Sequence, residues 1–391
     1  MTELEKLIQA LCPNGVEFKK VKDIYKRIKG TPITAGKMKE IESADGEIRV
    51  FAGGKTVIDA HEEDIPNANI TRVPAVLVQS RGVIDVVYYE KPFTFKNEMW
   101  AYTADEKITV KFLYYVLKNN IQRFRDAASG MGSLPQISLP VTEEFLIPVP
   151  PLPVQSEIVK ILDNFTELTA ELTAELTAEL TARKKQYEYY KDLLLTFDNT
   201  VDYQPLCELI DFKNGKGHEK DIADTGKYIV VNSKFISSSG EVKKYSDKQI
   251  CPLYEGDILM VMSDLPNGRA LAKCYLVEEN DRYTLNQRIG AFTVKDTSAI
   301  SIKFLYYVLN RNRQLLRFDN GVDQTNLRKN DILEIMIPVP PIEEQERIVA
   351  ILDRFDALCN DISIGLPAEI EARKKQYEYY RDKLLSFEEV C

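Results

Sequence analysis

Ala182-Arg183-Lys184-Lys185-Gln186-Tyr187-Glu188-Tyr189-Tyr190 recurs without a change at Ala372 to Tyr380. The interval is 190 residues in a chain of 391, so the protein is a tandem duplication. The flanking sequence agrees. Ile147-Pro148-Val149-Pro150-Pro151 returns as Ile337 to Pro341, and Ile161-Leu162-Asp163 returns as Ile351-Leu352-Asp353. Lys111-Phe112-Leu113-Tyr114-Tyr115-Val116-Leu117 returns as Lys303 to Leu309, two residues out of step. Residues 1–110 and 199–302 show no such match. Each half is therefore a variable domain followed by a shared helical tail. A chain that keeps its connectors alike while its globular parts differ reads as one that binds two different things at a fixed separation.

The segments after the proline-rich stretches carry a helical period. Ile158, Leu162, Phe165, Leu168, Leu172, Leu176 and Leu180 recur at steps of three or four. Pro148, Pro150, Pro151 and Pro153 break regular structure ahead of this run. The pattern predicts a helix from about Val154 to Phe197, a rod of about 64 Å. One apolar stripe on so long a helix calls for a partner. The second tail offers Ile348, Ile351, Leu352, Phe355, Leu358 and Ile362. Helix one leaves the first domain and leads through the short link Asp198–Pro205 to the second. Helix two must then run back along it. The expected fold is α+β: two mixed α/β domains at opposite ends of an antiparallel helix pair, related by an approximate two-fold axis. The boundaries are 1–150, 151–197, 198–340 and 341–391.

Within helix one, Thr-Ala-Glu-Leu repeats three times over residues 169–180. Ala, Glu and Leu are strong helix formers, so the simple reading is a helical spacer. The sharper reading makes its length the function, since one unit adds about 6 Å, one or two base-pair steps of DNA. The second tail has Gly365-Leu366-Pro367 in place of Glu175-Leu176-Thr177, and Pro367 should kink or restart that helix.

The variable domains read as mixed α and β. Residues 75–80, 83–89, 228–232, 258–263, 272–277 and 289–294 have the β-branched and aromatic content of strands. The repeated Lys-Phe-Leu-Tyr-Tyr-Val-Leu reads as a short helix on each sheet, its tyrosines in the core.

Bulk composition narrows the function classes. A chain of 391 residues holds two or three domains. No apolar run approaches the ~20 residues that span a bilayer. The start, Met1-Thr2-Glu3-Leu4-Glu5, lacks a signal-peptide core, which points to the cytoplasm. The six cysteines form no C-x-x-C pair, and Cys391 is most simply a spare thiol. Two histidines exclude a histidine-rich metal site. The net charge of −9 argues against nucleic acid, but the acidic excess falls mainly on the helical tails. The globular parts are nearly balanced, and each can present a basic face.

No catalytic constellation emerges. Gly53-Gly54-Lys55-Thr56 resembles the end of a phosphate loop, but Arg49 stands where its first glycine belongs. Gly215-Lys216-Gly217 is an isolated G-x-G. Asn-Pro-Pro-Tyr/Phe, His-Glu-x-x-His and Gly-x-Ser-x-Gly are missing, and no cofactor is indicated. Chemistry, if any, belongs to a partner.

Recognition residues stand out better in groups. Loops at strand ends carry Ser80, Arg81 and Asn97 in the first half. In the second they carry Lys213, Lys216, Ser263, Arg269, Asn286, Gln287 and Arg288. The loops after each Tyr-Tyr helix, 130–138 and 321–329, carry Gln136, and Gln324, Asn326, Arg328 and Lys329. Arg and Lys pair with guanine edges, Asn and Gln with adenine edges, and Ser or Thr with phosphates. Leu168, Leu172, Leu176, Leu180, Tyr187, Tyr190, Tyr377 and Tyr380 are the candidate spacer and partner-docking positions on the tails.

The Pro-Val-Pro-Pro followed by Gln155-x-x-Ile158 (Gln345-x-x-Ile348 in the second half), the Thr-Ala-Glu-Leu repeats and the doubled Arg-Lys-Lys-Gln-Tyr-Glu-Tyr-Tyr resemble the specificity subunit of type I restriction–modification systems. Leu11-Cys12-Pro13-Asn14-Gly15-Val16-Glu17 resembles the family's start, and the spacer repeat points to the IC-like subgroup. The resemblance implies two target-recognition domains that each read half of a bipartite site on double-stranded DNA. It implies helices that act as a ruler and dock two modification (methyltransferase) subunits, joined by restriction/translocase subunits. The chain itself would be non-catalytic. A coiled-coil scaffold joining two protein-binding domains is the rival; salt-sensitive DNA binding separates the two.

Overall fold

The structure, a computed structural model, describes residues 2–54, 56–128, 134–198, 200–218, 221–266, 270–360 and 365–390. Lys55, residues 130–133 of the loop 130–138, Arg269, Ile362 and Cys391, all noted above, lie outside the described residues. The chain divides into two compact units. The first joins Met1–Thr177 to Glu369–Cys391; the second is Ala178–Ala368. The division cuts the first tail helix in its middle, so each unit combines a globular part, the start of its own tail and the end of the other tail.

In the first unit a four-stranded antiparallel sheet runs in the order Lys26–Ile28, Trp100–Thr103, Ala75–Gln79, Asp85–Tyr89. A three-stranded sheet has Ile48–Phe51 between Val57–Ala60 and Phe93–Phe95, the last pairing being parallel. Phe18–Lys20 pairs with Leu146–Pro148 in a two-stranded ribbon. The strand Ala75–Gln79 is buried on both faces, which is why it reads as a continuous apolar run. Its side chains alternate between two cores. Val76 and Val78 join Val110, Leu113 and Leu117 of the helix Lys107–Asn119. Ala75 and Leu77 join Phe51, Phe93 and Phe95. A one-residue slip would exchange the two sets, so burial fixes the register.

The second unit repeats the plan in unrelated sequence. Its four-stranded sheet runs Ile210–Asn214, Ile289–Val294, Ile258–Val261, Cys274–Leu276. Its three-stranded sheet places Tyr228–Val231 between Tyr245–Ser246 and Tyr283–Leu285, again with a parallel last pair. Tyr203–Pro205 pairs with Met336–Pro338. Ile258 and Met260 face the core beneath the helix Ile302–Leu309, while Leu259 and Val261 face the opposite one. Tyr115 and Tyr307 of the repeated helix are buried.

The first tail is a single helix, Leu152–Leu194, of 43 residues. It starts two residues before the expected Val154 and stops short of Phe197. Pro153 lies in its first turn, where a missing N–H costs nothing. Pro148 ends a ribbon strand instead of breaking structure, because a terminal edge position needs no donor. The link Asp198–Pro205 likewise contains a strand. The second tail is divided into Ile342–Asn360 and Leu366–Leu385. Pro367 occupies the first turn of the latter, so it restarts the helix.

Within each unit the two tail segments run antiparallel. In the first, Phe165 meets Tyr380 at 6.0 Å between ring centroids, and the Thr166 hydroxyl lies 3.0 Å from that of Tyr377. In the second, Tyr190 stacks on Phe355 at 5.6 Å, while the Lys184 ammonium acts on the Cys359 thiol. The tails also hold the globular parts. Val154, Ile158, Leu162 and Leu385 belong to the first unit's main core, and Tyr187, Ile348 and Leu352 to the second's. Each fully buried side chain of this size contributes roughly 1.5–3 kcal/mol. Along the repeat, Leu176 is buried, Leu172 and Leu180 are half-buried, and Leu168 is 60% exposed, so the stripe drifts as a four-residue period requires.

Candidate nucleic-acid interface

At the end of the buried strand Ala75–Gln79, four separate segments of the first unit meet. The Ile137 N–H donates to the Ser80 carbonyl at 2.9 Å, and Gly82 N–H to Pro135 at 2.9 Å. Gly54 N–H donates to the Arg81 carbonyl at 3.1 Å. The Ser80 hydroxyl donates to the Glu98 carbonyl. Gly54 and Gly82 have φ of +75° and +82°, a conformation glycine adopts without strain. The strand end is thus stitched to the loop after the Tyr-Tyr helix and to the connection between Phe93–Phe95 and Trp100–Thr103. Arg81 and Gln136 face one another as a β-bridge, and both are exposed, as is Asn97. Lys96 pairs with Glu98 at 2.9 Å.

The second unit repeats three of these four segments. Leu327 N–H donates to the Met262 carbonyl at 2.8 Å, the counterpart of Ile137 and Ser80. Met262 N–H donates to the Arg288 carbonyl at 3.0 Å, at the positions of Ser80 and Glu98, where the donor is a hydroxyl. Ser263 and Asp264 pair with Asn326 and Thr325. The Gly215 N–H donates to Ile289 at 3.0 Å and Lys216 N–H to Leu285 at 3.2 Å, which brings in a fourth segment. A Cβ on Gly215 would lie 1.8 Å from the Asn286 carbonyl oxygen. The isolated G-x-G is therefore a close backbone crossing.

The expected residues divide by burial. Ser80, Ser263 and Asn286 point inward and hold the junctions together. Ser263 accepts from Gln324 Nε2 at 2.8 Å, and Asn286 Oδ1 accepts the His218 N–H at 3.2 Å. Arg81, Asn97, Gln136, Lys213, Lys216, Gln287, Arg288, Gln324, Asn326, Arg328 and Lys329 are exposed. Lys213 donates to the Pro252 carbonyl at 2.7 Å, and the Lys329 ammonium lies 5.5 Å over the Phe212 ring. The second junction therefore carries Lys213, Lys216, Arg288, Arg328 and Lys329 on three of the four segments that meet. Cations so placed suit phosphate oxygens, and amides and guanidinium groups suit base edges.

Two structural roles escaped the sequence reading. Asp264 Oδ2 accepts from the N–H groups of Ala270 and Leu271 at 2.7 and 3.1 Å, tying down the return of its loop. His218 is buried, with Nδ1 2.7 Å from the Lys216 carbonyl and Nε2 2.9 Å from the Thr284 hydroxyl. The carbonyl can only accept, so Nδ1 carries the hydrogen. Neither role is visible without knowing which loops meet. Among the tail positions, Tyr187 is buried, Tyr377 half-buried, and Tyr190 and Tyr380 only partly covered.

Among the described residues no helix is long and apolar enough to cross a membrane, and no three His, Cys, Asp or Glu side chains group as metal ligands. The family model described as the type I restriction modification DNA specificity domain matches twice, over residues 13–182 and 200–372. The chain is 36% identical over 306 residues to the EcoR124I/EcoR124II specificity subunit of Escherichia coli, covering 72% of each. It is 36% identical over 310 residues to a putative type I restriction enzyme specificity subunit of Haemophilus influenzae, covering 75% of this chain and 77% of the relative. A chain solved in a study of complex assembly and conformational transition of the type I R-M system shares the fold. Its TM-score is 0.65 at 14% identity, over 96% of this chain and 98% of that one.

Proposed function

The chain belongs to the type I restriction–modification DNA specificity family, whose specificity subunits are non-catalytic, and on that premise we propose how it reads DNA. Each globular part, 1–150 and 198–340, is a recognition domain that contacts one half of a bipartite target in double-stranded DNA. The connectors, 151–197 and 341–391, fix the unread gap between the halves. Two modification subunits dock against them, and restriction/translocase subunits join that core in the cytoplasm. The single observation that carries the reading is the paired junction. The same three kinds of segment, the end of the buried strand, the connection from the parallel-paired strand and the loop after the Tyr-Tyr helix, converge in both units on the same strand order, built from unrelated sequence and carrying different exposed side chains. One backbone plan with two sets of presented groups is what reading two different half-sites requires.

The test is methylation mapping. The chain is expressed with the modification subunit of its own operon in a methylation-free host, and modified bases are located by sequencing. Two short defined half-sites around a fixed gap are expected. Deleting Thr173–Leu176 removes about 6 Å of helix and should shorten the gap while leaving both half-sites intact. A continuous motif, or half-sites that change with the deletion, would sink the proposal.

A further inference from the structure

Arg288 combines three features that no other exposed cation among the described residues of the second junction shares. Its φ is +67°, a conformation that costs a side-chain-bearing residue strain. Its backbone is locked there: its carbonyl accepts the Met262 N–H at 3.0 Å, and the next carbonyl, of Ile289, accepts from Gly215 at 3.0 Å. Close contacts hold the turn on both sides. Gly215 crosses against the Asn286 carbonyl, and a Cβ on Gly290 would meet the Phe212 ring at 2.8 Å and the Met262 sulfur at 2.9 Å. Against this fixed backbone the side chain is exposed, and among the described residues its guanidinium has no carboxylate partner. Strain kept in a rigid turn to present a fork unpaired among the described residues is a cost that folding alone does not explain.

The first unit supplies the contrast. Glu98 holds the corresponding place, between the parallel-paired strand and the next strand of the four-stranded sheet. Its carbonyl accepts from the Ser80 hydroxyl, where that of Arg288 accepts from the Met262 N–H. There the side chain is an acid paired with Lys96, and the backbone stays out of the left-handed region. The two junctions thus present opposite charge from one backbone position.

We infer that Arg288 is a specificity-determining residue of the second domain and reads a guanine in its half-site through two parallel N–H donors to O6 and N7. The inference rests on the DNA-reading function proposed above. A guanidinium fork matches that pair of acceptors, and fixing its root lowers the ordering cost of making both bonds. Lys213, Lys216, Arg328 and Lys329, on the neighbouring segments, suit the flanking phosphates.

Methylation rates are measured for the wild-type chain, R288G and R288K, each with the modification subunit, on a library randomised across both half-sites. R288G accepts the left-handed backbone without strain and removes only the side chain. R288K keeps the charge and loses the fork. The wild type should require a G·C pair at one position that R288G relaxes to all four bases, a loss of preference on the order of ten- to a hundredfold. R288K should weaken the same preference, and the other half-site and the gap should stay as they were. A uniform fall across all sequences would assign Arg288 to phosphate and overturn the inference, as would an unchanged motif. A wild-type complex with no bipartite motif would overturn the function reading itself.

Discussion

The Tyr115 hydroxyl donates to the Asp163 carboxylate at 2.6 Å, and the other carboxylate oxygen takes the Lys111 ammonium at 2.7 Å. Tyr307, Asp353 and Lys303 repeat the arrangement at 2.6 and 2.7 Å. Two of the repeated sequence segments, Lys-Phe-Leu-Tyr-Tyr-Val-Leu and Ile-Leu-Asp, are therefore partners in space. Asp353→Ala would leave the largely buried Tyr307 hydroxyl unpaired and should cost about 1–3 kcal/mol. Tyr307→Phe leaves Asp353 with Lys303 and should cost less. Urea unfolding of the two variants decides; equal losses would mean the hydroxyl finds another partner.

The same tyrosines set an alkaline limit. Burial, and then the hydrogen bond to the carboxylate, pushes both Tyr115 and Tyr307 well above the ordinary tyrosine range. A folded-state value above the unfolded one means the stabilisation is fully present below pH ~10 and is lost as pH rises beyond it. The urea midpoint should fall above pH ~10, with tyrosinate absorbance growing as the fold is lost. Complete ionisation of a chain that keeps its native circular dichroism would refute this.

Gln155 and Gln345 occupy matching places at the starts of the tails but are not equally satisfied. Gln345 accepts the Ser301 N–H at 2.8 Å and donates to Ala299 and Pro340 at 3.0 and 2.8 Å. Gln155 donates to Pro150 at 2.8 Å, and its buried Oε1 has no partner among the described residues. The difference follows from the Tyr-Tyr helix, which begins at Lys107 in the first unit and only at Ile302 in the second. Gln345→Ala should lose about 1–3 kcal/mol, whereas Gln155→Met should be close to neutral. Differential scanning calorimetry of both variants is the check.

Two glycines make a matched pair for testing the second junction. Gly36, in the helix Ala35–Ile41, has nothing within 4 Å of an added Cβ. Gly36→Ala should be neutral or stabilise by up to about 1 kcal/mol. Gly215→Ala drives a methyl into the Asn286 carbonyl and must displace the Arg288 turn. It should destabilise by at least about 1–3 kcal/mol. Half-site mapping should show damage confined to one half-site; damage to both would mean the junctions are not independent.

Much of this architecture can be read from the chain alone, for a definite reason. Ala75–Gln79 and Ile258–Val261 are buried on both faces, so each is a dense apolar run. The strands that escaped are short and polar on one side. Phe93–Phe95 and Tyr283–Leu285 make parallel pairs with strands more than 40 residues away, and no local pattern records such a partner. Ser80, Ser263 and Asn286 look like surface groups in a list of loop residues. They are buried because other segments close over them.

The sequence by itself determined the duplication, the connectors, the helical tails and the class of the protein, because repetition and periodicity are one-dimensional properties that survive without coordinates. Only the tertiary structure decided which four loops meet in each unit, which polar side chains are spent inside the junction, and that Arg288 stands on a left-handed backbone opposite in charge to Glu98. Those outcomes depend on hydrogen bonds between segments far apart in the chain. Their geometry exists only once the cores on both sides of the central strand have closed.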